Sequence, residues 1–393
     1  MRTESAFGIS RALALSRTGV ISDLTMLSIL HVDPERRWGG GQVHLVELCR
    51  RIQELGAKQM VACHPGGPLE RALEAEGFAT VPVAVRNALD VRAVVRLRQV
   101  LRVVAPNIVH FHTAHAHAMS LWLPRAHRSF VVTRHMDYPP RNAFLFNSAV
   151  DGVIAICEAV RGSLLGVGVE PLRVRVIYLG IDATPFPASA DERREQRRVW
   201  GVADDEVVAV TAAVLETRKG HRFLIDAIAE LHKRSGPRAR FVFCGDGSQR
   251  AALAAQVRAA GLEEHILMPG FSAQMAQVLA AADLFVLPSL AEGLPMAIME
   301  AMASRLPVVA TRVSGTPEIV AHGVTGLLVP PADPRALATA LANLLGNAAR
   351  RAQLGQRGRE RVEQQFTSAR MAREFVSYYE SLRLHPSVQR AAP

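Results

Sequence analysis

The sequence predicts an α/β protein with two doubly wound domains, each built on a parallel β-sheet. Its 393 residues exceed one typical domain of about 150 residues, so two domains are expected. Short apolar runs alternate with amphipathic helical stretches from Met26 to about Val329. This alternation is typical of parallel strands covered by helices on both faces. A segment rich in proline and charge, 182–206, divides the pattern in two.

The N-terminal half contains the first set of predicted strands. Amphipathic helices are expected between them, for example over 43–55 and Val91–Val104, with Asp90 as the N-cap of the second. The predicted strands are 24–32, 59–64, 80–83, Ile108–Phe111, 130–134, 152–156 and 174–178.

The C-terminal half repeats the alternation. The charge run within 182–206 is expected to be a solvated linker or a first helix, and the chain is expected to be helical from about Asp333 to Glu380. The strand C-termini of both domains should face a central cleft, where such sheets bind their ligands. The predicted strands are 207–214, 241–244, 266–268, Leu284–Leu287, 308–310 and 327–329.

Four segments follow from this pattern. They are a flexible N-terminal extension (1–23), an N-terminal Rossmann-like domain (24–183), a C-terminal Rossmann-like domain (184–365), and a C-terminal helix and tail (366–393). The C-terminal helix is expected to pack back on the N-terminal domain.

The charge and composition limit the classes of partner that the chain is expected to bind. There are 46 basic and 36 acidic side chains, a net charge of +10, and only Lys58, Lys219 and Lys233 are lysines. The arginine excess is most simply a compositional bias, and with 5% aromatic residues no nucleic-acid binding is expected. Arginines do gather on the helix Val91–Val104, so attraction to an anionic membrane surface is the alternative.

Cysteine usage and hydropathy indicate a cytoplasmic chain. The four cysteines are spread singly, which argues against a disulfide framework or a cysteine zinc site and fits a reducing compartment. No stretch approaches 18 uninterrupted apolar residues, so no membrane span is expected. Serines and arginines interrupt residues 1–23, which favours an extension over a signal peptide.

The densest motif lies around Glu292 and Glu300. A predicted strand ends in a short loop, and a helix is expected to begin at Pro295. Free amides at that helix N-terminus suit an anion or sugar hydroxyls, and carboxylates accept paired hydrogen bonds from vicinal hydroxyls. The alternative is a buried helix whose glutamate only offsets the helix dipole, with Glu300 exposed.

This segment, EGLPMAIME over 292–300, resembles the signature of the retaining glycosyltransferases of family 4. The similarity is specific over 207–333 and looser over 26–182. It implies the GT-B fold, with the nucleotide-sugar donor held by the C-terminal domain and the acceptor by the N-terminal domain. It also implies that Glu292 contacts the donor sugar and Glu300 the ribose, while Gly293 and Leu294 supply backbone amides.

Lys219 follows the first strand of the second half. A cation at the C-terminal edge of a parallel strand is well placed for a phosphate, although an exposed loop lysine is the simpler alternative. The resemblance implies that Lys219 binds the donor diphosphate. It also implies an arginine at Val214, for which Arg218 is the candidate substitute, and a place for Gly245 near the nucleotide.

Glycines link the first strand to the first helix. Gly39, Gly40 and Gly41 would let backbone amides approach an anion at the helix N-terminus, although flexible turns also use glycine. By resemblance, Gly40 and Gly41 are expected to contact the donor phosphate.

Four histidines begin on the strand Ile108–Phe111 and continue past it. Strand alternation places His110 and His112 on one face, but two imidazoles are too few for a metal site. His115 and His117 are expected in the following loop. The resemblance implies that His112 contacts the donor sugar.

Three polar residues lie at the end of the next predicted strand, 130–134, and just beyond it. Arg134, His135 and Asp137 are expected to face the cleft on the acceptor side. A packing or ion-pair role is the alternative.

The sequence motifs of several other kinds of active site are absent. No D-x-D pair, G-x-S-x-G elbow or Walker loop occurs, so no metal or cofactor is expected and Lys219, arginines and amides must neutralise the diphosphate. The sequence predicts a metal-independent retaining hexosyltransferase with Glu292, His112 and Lys219 as catalytic residues. Its expected donor is a nucleotide-sugar, with UDP as the favoured nucleotide, and its expected acceptor is a glycan or a lipid-linked molecule of the cell envelope. The expected location is the cytoplasm or the inner face of the membrane, to which the protein would bind peripherally.

Two alternatives stay open. A nucleotide-sugar 2-epimerase has the same fold. A non-catalytic nucleotide-sugar-binding protein would fit the departure at Val214 and Arg305, which replaces a glycine frequent in the family.

Overall fold

The computed structural model describes residues 26–87, 90–187, 189–233 and 238–384. The chain divides into two units. Unit 1 comprises the described residues up to Leu179 and those from Ser368 onward, and unit 2 comprises the described residues of Gly180–Thr367. The predicted extension 1–23 lies outside the described residues.

Unit 1 is built on a seven-stranded parallel sheet in the order β3-β2-β1-β4-β5-β6-β7. The strands are β1 (Ser28–Asp33), β2 (Lys58–Cys63), β3 (Thr80–Pro82), β4 (Ile108–Phe111), β5 (Ser129–Arg134), β6 (Gly152–Ala155) and β7 (Val174–Val176). The strands β4 and β6 are buried along their whole length, which explains their nearly continuous apolar sequences.

Six helices of unit 1 connect these strands. They are α1 (Gly40–Glu54), α2 (Pro68–Ala75), α3 (Val91–Val104), α4 (Ala114–Met119), α5 (Phe144–Ser148) and α6 (Glu158–Gly166). The Asp90 side chain accepts a hydrogen bond from Ala93 N, which confirms the predicted N-cap of α3.

Unit 2 is built on a six-stranded parallel sheet in the order β10-β9-β8-β11-β12-β13. Its strands are β8 (Val207–Ala212), β9 (Ala239–Cys244), β10 (Ile266–Gly270), β11 (Leu284–Leu287), β12 (Val308–Thr311) and β13 (Gly326–Val329).

Helices surround this second sheet. The first of them forms within the charge run of the predicted linker, where Ser189 and Glu192 make a capping box. The helices are α7 (Ala190–Trp200), α8 (His221–His232), α9 (Arg250–Ala259), α10 (Met275–Ala280), α11 (Met296–Ala303), α12 (Thr316–Ile319), α13 (Pro334–Leu345) and α14 (Ala348–Gln365).

The chain returns to unit 1 with α15 (Ser368–Leu384), which packs against α1. Phe375 and Tyr379 of this helix are fully buried. The C-terminal segment therefore contributes aromatic side chains to the core of the N-terminal unit.

The predicted fold class is confirmed, because both units are doubly wound parallel α/β structures. The strand predicted over 207–214 ends at Ala212, and the helix expected to begin at Pro295 begins at Met296 with Pro295 as N-cap. The first helix begins at Gly40, ahead of the prediction. None of the described helices combines the length and apolar character that crossing a membrane requires.

Candidate active site

Glu292 is the centre of a buried ionic contact in unit 2. It lies with Ser289 in the loop between β11 and α11, and it is 5% exposed. Its Oε1 accepts a hydrogen bond of 2.6 Å from Lys219 Nζ and one of 2.6 Å from Ser289 Oγ. A second cation, Arg218, lies 4.0 Å from Glu292 Oε2. The C-terminal edge of the sheet thus combines a carboxylate with two cations.

A short turn after β8 holds Lys219 against this loop. The 3-10 turn Thr217–Lys219 ends at Gly220, and Leu290 N donates a 2.7 Å hydrogen bond to the carbonyl of Arg218. Gly220 has a φ of +68°, and a Cβ there would lie 2.0 Å from the carbonyl oxygen of Pro288. Only glycine allows this approach of the two loops.

Replacing Gly220 by alanine should therefore destabilise unit 2. The left-handed backbone alone costs an alanine about 1–2 kcal/mol, and the backbone clash adds to that cost. Gly261→Ala is the matched control, since Gly261 has a φ of +65° but open space around it. Thermal unfolding of both variants tests the argument, and equal melting temperatures would contradict it.

The turn after β9 also packs on the loop that leads to Lys219. Gly245 has a φ of +151°, and a Cβ there would lie 2.0 Å from the carbonyl oxygen of Ala213. Leu215 N donates a 2.9 Å hydrogen bond to the carbonyl of Asp246. These backbone contacts fix Gly245 beside the start of the Lys219 loop.

Val214, where the resemblance implies an arginine, lies in the same loop and is 38% exposed. Arg218 instead places its guanidinium 3.0 Å from Glu216 and beside Glu292. The second cation near Glu292 is therefore Arg218, which lies in the turn Thr217–Lys219, and not a residue at position 214.

Glu300 lies on α11 and is partly buried, rather than exposed. Desolvation raises the pKa of its carboxyl to about 7. Among the described residues, none forms a hydrogen bond or ion pair with this carboxylate. A ligand that donates hydrogen bonds would therefore strongly stabilise the ionised form of this desolvated carboxyl group.

The backbone between the two glutamates is held in place. Gly293 O accepts a 3.0 Å hydrogen bond from Gly315 N, and Leu294 is 4% exposed. The residues expected to supply amides thus lie at the fixed N-terminal end of α11.

A histidine cluster lies in unit 1, and it contains a member that sequence reasoning missed. His31 of β1 joins His110 and His112, so that ring nitrogens of all three lie within 4.8 Å of one another. The count of two imidazoles used to exclude a metal was therefore incomplete. His31 and His110 are partners in the register of β1 and β4, a contact between residues far apart in sequence.

Burial keeps this cluster neutral. Desolvation lowers the pKa of His31 to about 4 and holds the pKa values of His110 and His112 well below their usual range. His110 has both ring nitrogens in hydrogen bonds, 2.7 Å to Thr133 Oγ1 and 2.7 Å to the Tyr379 hydroxyl. The imidazoles are thus held by hydrogen bonds within unit 1.

The two later histidines do not lie in a loop, so that expectation is wrong. Both are on α4, which Thr113 caps. His117 is buried with Nε2 3.3 Å from the carbonyl of Leu145, whereas His115 is exposed.

The polar residues at the end of β5 and just beyond it are partly buried. Arg134 donates a 2.5 Å hydrogen bond to the carbonyl of Tyr138, and burial lowers its pKa. His135 Nε2 is buried without a hydrogen-bond partner among the described residues. Asp137 accepts a hydrogen bond from Ser163 through its backbone carbonyl.

The glycine run does not form a loop before the helix. Gly39 is the N-cap of α1, and Gly40 and Gly41 are its first two residues. A Cβ at either of these two would meet no atom within 4 Å, so room remains above the first turn of α1.

Comparisons with known proteins agree with this architecture. A family model described as "Glycosyltransferase Family 4" matches residues 38–184, and one described as "Glycosyl transferases group 1" matches residues 192–361. Among solved structures, Anabaena HepE in complex with UDP-glucose has a TM-score of 0.82 and 24% identity, covering 91% of this chain and 100% of the other.

Curated relatives are named for glycosyl transfer and related syntheses. WcaL of Escherichia coli (strain K12), a candidate colanic acid biosynthesis glycosyltransferase, is 34% identical over 62% of this chain and 60% of its own length. The alpha-maltose-1-phosphate synthase of Mycolicibacterium smegmatis is 28% identical over 88% of this chain and 96% of its own length. The alignments with the first relatives span 54–60% of their length. With the two family models spanning most of both units, the chain belongs to glycosyltransferase family 4 and has the GT-B fold.

Proposed function

We propose that this chain is a metal-independent retaining hexosyltransferase that moves a hexose from a UDP-sugar to a hydroxyl of a glycan or lipid-linked acceptor. The observation that carries the proposal is the buried contact of Glu292 with Lys219, flanked by Arg218. A carboxylate accepts hydrogen bonds from sugar hydroxyls, and preorganised cations stabilise the charge on a leaving diphosphate. A site that holds both groups suits a sugar diphosphate.

Each site residue has a role in this proposal. Glu292 orients the donor sugar, Lys219 and Arg218 bind the diphosphate, and Glu300 accepts hydrogen bonds from the ribose. The acceptor hydroxyl attacks on the face from which the diphosphate leaves, without an enzymic nucleophile. The further contacts proposed are the Gly293 and Leu294 amides, Gly40, Gly41 and Gly245 toward the donor, His112 toward the donor sugar, and Arg134, His135 and Asp137 toward the acceptor.

Relatives support the choice of substrates. Anabaena HepE, which shares the fold, is described with UDP-glucose, and this favours uridine diphosphate as the carrier. The candidate role of WcaL in colanic acid biosynthesis favours an acceptor of a cell-envelope polysaccharide or glycolipid.

A nucleotide-release screen tests the proposal. UDP-, GDP- and ADP-sugars are offered with a membrane extract as acceptor, with and without EDTA. The expected result is UDP release that requires both sugar nucleotide and acceptor, persists in EDTA and yields a product of unchanged anomeric configuration. Free UDP and rearranged sugar without acceptor would indicate the 2-epimerase, and binding without turnover a non-catalytic protein.

UDP binding should depend on pH through Glu300. Because the pKa of Glu300 is raised to about 7, its carboxylate fraction rises between pH 6 and pH 8. If only the carboxylate accepts from the ribose, UDP affinity should rise by up to about tenfold over this range. Glu300→Gln is the control for titration of the UDP phosphates, and an equal pH dependence in both proteins would contradict the role.

We also propose that α3 docks unit 1 on an anionic membrane at its cytoplasmic face. Arg92 and Arg102 are exposed on this helix, whereas Arg96 is partly buried. Exposed Val91 adds apolar surface, and the nearby Trp122 carbonyl accepts a 2.9 Å hydrogen bond from exposed Arg98. All four cysteines are buried, and none forms a disulfide with another described residue, which is compatible with the proposed reducing compartment.

Vesicle co-sedimentation tests the docking surface. Replacing Arg92 and Arg102 by glutamine should weaken binding to phosphatidylglycerol vesicles, since each basic residue near such a surface contributes about 1 kcal/mol. Arg194 and Arg198 on α7 are exposed, and their replacement is the matched control. Binding that is independent of lipid charge would overturn this part of the proposal.

A further inference from the structure

Gln59 anchors a chain of hydrogen bonds that ends at His112. Gln59 Nε2 donates a 2.8 Å hydrogen bond to the carbonyl of Cys49. A carbonyl only accepts, so the amide nitrogen must point to Cys49 and the amide oxygen must face the other way. That oxygen lies 3.2 Å from His31 Nε2. The orientation of the amide is therefore fixed by the backbone.

The amide in turn fixes the tautomer of His31. Gln59 Oε1 only accepts, so His31 Nε2 carries the proton that is donated to it. Burial lowers the pKa of His31 to about 4, so the ring is neutral at about pH 7 and its Nδ1 carries a lone pair. His31 Nδ1 lies 3.0 Å from His112 Nε2. His112 Nε2 must therefore be the donor in that bond.

The last ring, His112, has an acceptor nitrogen that no described residue satisfies. His112 is also neutral, because burial holds its pKa well below the usual range. With Nε2 protonated, His112 Nδ1 carries a lone pair, and it is buried without a hydrogen-bond partner among the described residues. Such buried orphan groups are rare and call for a functional explanation. The backbone of His112 is anchored as well, since its amide donates a 3.1 Å hydrogen bond to the carbonyl of Val32.

The neighbouring His110 differs from His112 in this respect. The ring centroid of His110, on β4, is 4.0 Å from that of His112. Both nitrogens of His110 are nevertheless in hydrogen bonds, to Thr133 and Tyr379. The fold therefore satisfies the adjacent buried imidazole, whereas His112 Nδ1 has no hydrogen-bond partner in the part of the chain that the structure describes.

We propose that Gln59 and His31 are positioning residues that hold His112 as the Nε2–H tautomer, so that its Nδ1 accepts a hydrogen bond from a hydroxyl of the bound sugar. This proposal rests on the function proposed above, in which His112 contacts the donor sugar. His31 and Gln59 touch no substrate in it and act only through His112. The class of ligand group selected is a hydrogen-bond donor, and an ether or carbonyl oxygen at that position is disfavoured.

The tautomer is measured without substrate. In ¹⁵N-histidine-labelled protein, the NMR signals of the ring nitrogens show directly which nitrogen carries the proton. The signals that are missing from the spectrum of His112→Gln are those of His112. The expected result is a protonated Nε2 and an unprotonated Nδ1 at His112. Thr133→Val is the matched control, because it removes a partner of His110 and should leave the His112 tautomer unchanged. A protonated Nδ1 in the wild-type protein overturns the proposal.

Two substitutions of His31 separate positioning from packing. Asparagine places its side-chain oxygen near the position of Nδ1 and still accepts from His112 Nε2, whereas leucine fills the space and accepts nothing. We expect His31→Leu to lower kcat/KM for the UDP-sugar at least about tenfold, the equivalent of one hydrogen bond, and to shift the His112 nitrogen signals. His31→Asn should keep most of both properties. A site that needs only apolar filling predicts the reverse order, and that order overturns the proposal.

Failure of the proposed hexosyltransferase function can be distinguished from failure of the positioning role of His31 and Gln59. If wild-type protein turns over no sugar nucleotide with any acceptor, the hexosyltransferase proposal fails in the nucleotide-release screen. The nitrogen signals still decide the tautomer of His112 in that case. If the tautomer is Nε2–H but His31→Leu and His31→Asn are equally active, the chain of hydrogen bonds exists and its positioning role is overturned.

Discussion

Replacing Lys219 by methionine is expected to lower kcat/KM for the UDP-sugar by about 100- to 1000-fold, the usual effect of losing one preorganised donor to a developing negative charge. Methionine roughly keeps the length of the side chain and removes the cation proposed to face the leaving diphosphate. Nucleotide release under single-turnover conditions measures the effect. Lys233→Met is the matched control, since Lys233 is exposed at the end of α8.

The same substitution also has a cost in stability. The side chains of Lys219 and Glu292 are 13% and 6% exposed, so methionine leaves a buried carboxylate whose remaining cation, Arg218, lies 4.0 Å away. Breaking a buried pair in this way destabilises by about 3–5 kcal/mol, whereas removing both charges is nearly neutral. The double variant Lys219→Met/Glu292→Gln should therefore recover much of the melting temperature without recovering activity. Recovery of activity along with stability would show that Lys219 serves only the fold.

Glu292→Gln is the second variant with a large expected effect. The amide has the shape of the carboxylate but lacks its charge, so one charged hydrogen bond to the donor sugar weakens. We expect turnover to fall at least about tenfold, the equivalent of one such bond. Stability should fall less than in Lys219→Met, because the cation left behind at Lys219 keeps more contact with solvent than the carboxylate of Glu292 does.

An exposed glutamate provides the comparison. Glu264 lies in unit 2 and is exposed, so Glu264→Gln makes the same chemical change outside the site. Initial rates of UDP release over a range of donor concentrations separate kcat from KM for both variants. Full activity of Glu292→Gln would remove Glu292 from the proposed mechanism.

Much of the fold was predictable because its determinants are local. The strands Ile108–Phe111 and Leu284–Leu287 have the bounds that the apolar runs predict. The N-cap Asp90 was predictable because its hydrogen bond to Ala93 N spans only three residues. The strand predicted over 207–214 was too long, because an apolar run does not show where the hydrogen bonds to a neighbouring strand stop. The pairing of β8 with β9 ends at Ala212.

The candidate site was predictable only in part. The sequence singled out Glu292, Lys219 and His112 as separate residues, and the contact between Glu292 and Lys219 required the fold, since the two are 73 positions apart. His31 was missed because its hydrogen bond to His112 spans 81 positions and no local pattern marks it. The role of Gly220 was missed because it depends on the carbonyl of Pro288, which only the packed loops bring near.

The alternation of strands and helices, and with it the two α/β units, follows from side-chain periodicity and local hydrogen bonding, so it can be predicted from the sequence along with the residue types available for chemistry. Which polar groups are paired, which are buried and which lack a partner depends instead on how the segments pack together. This packing pairs Glu292 with Lys219, desolvates Glu300 and leaves His112 Nδ1 without a partner among the described residues. Those properties depend on the dielectric surroundings and on contacts across long stretches of chain, which no single segment encodes.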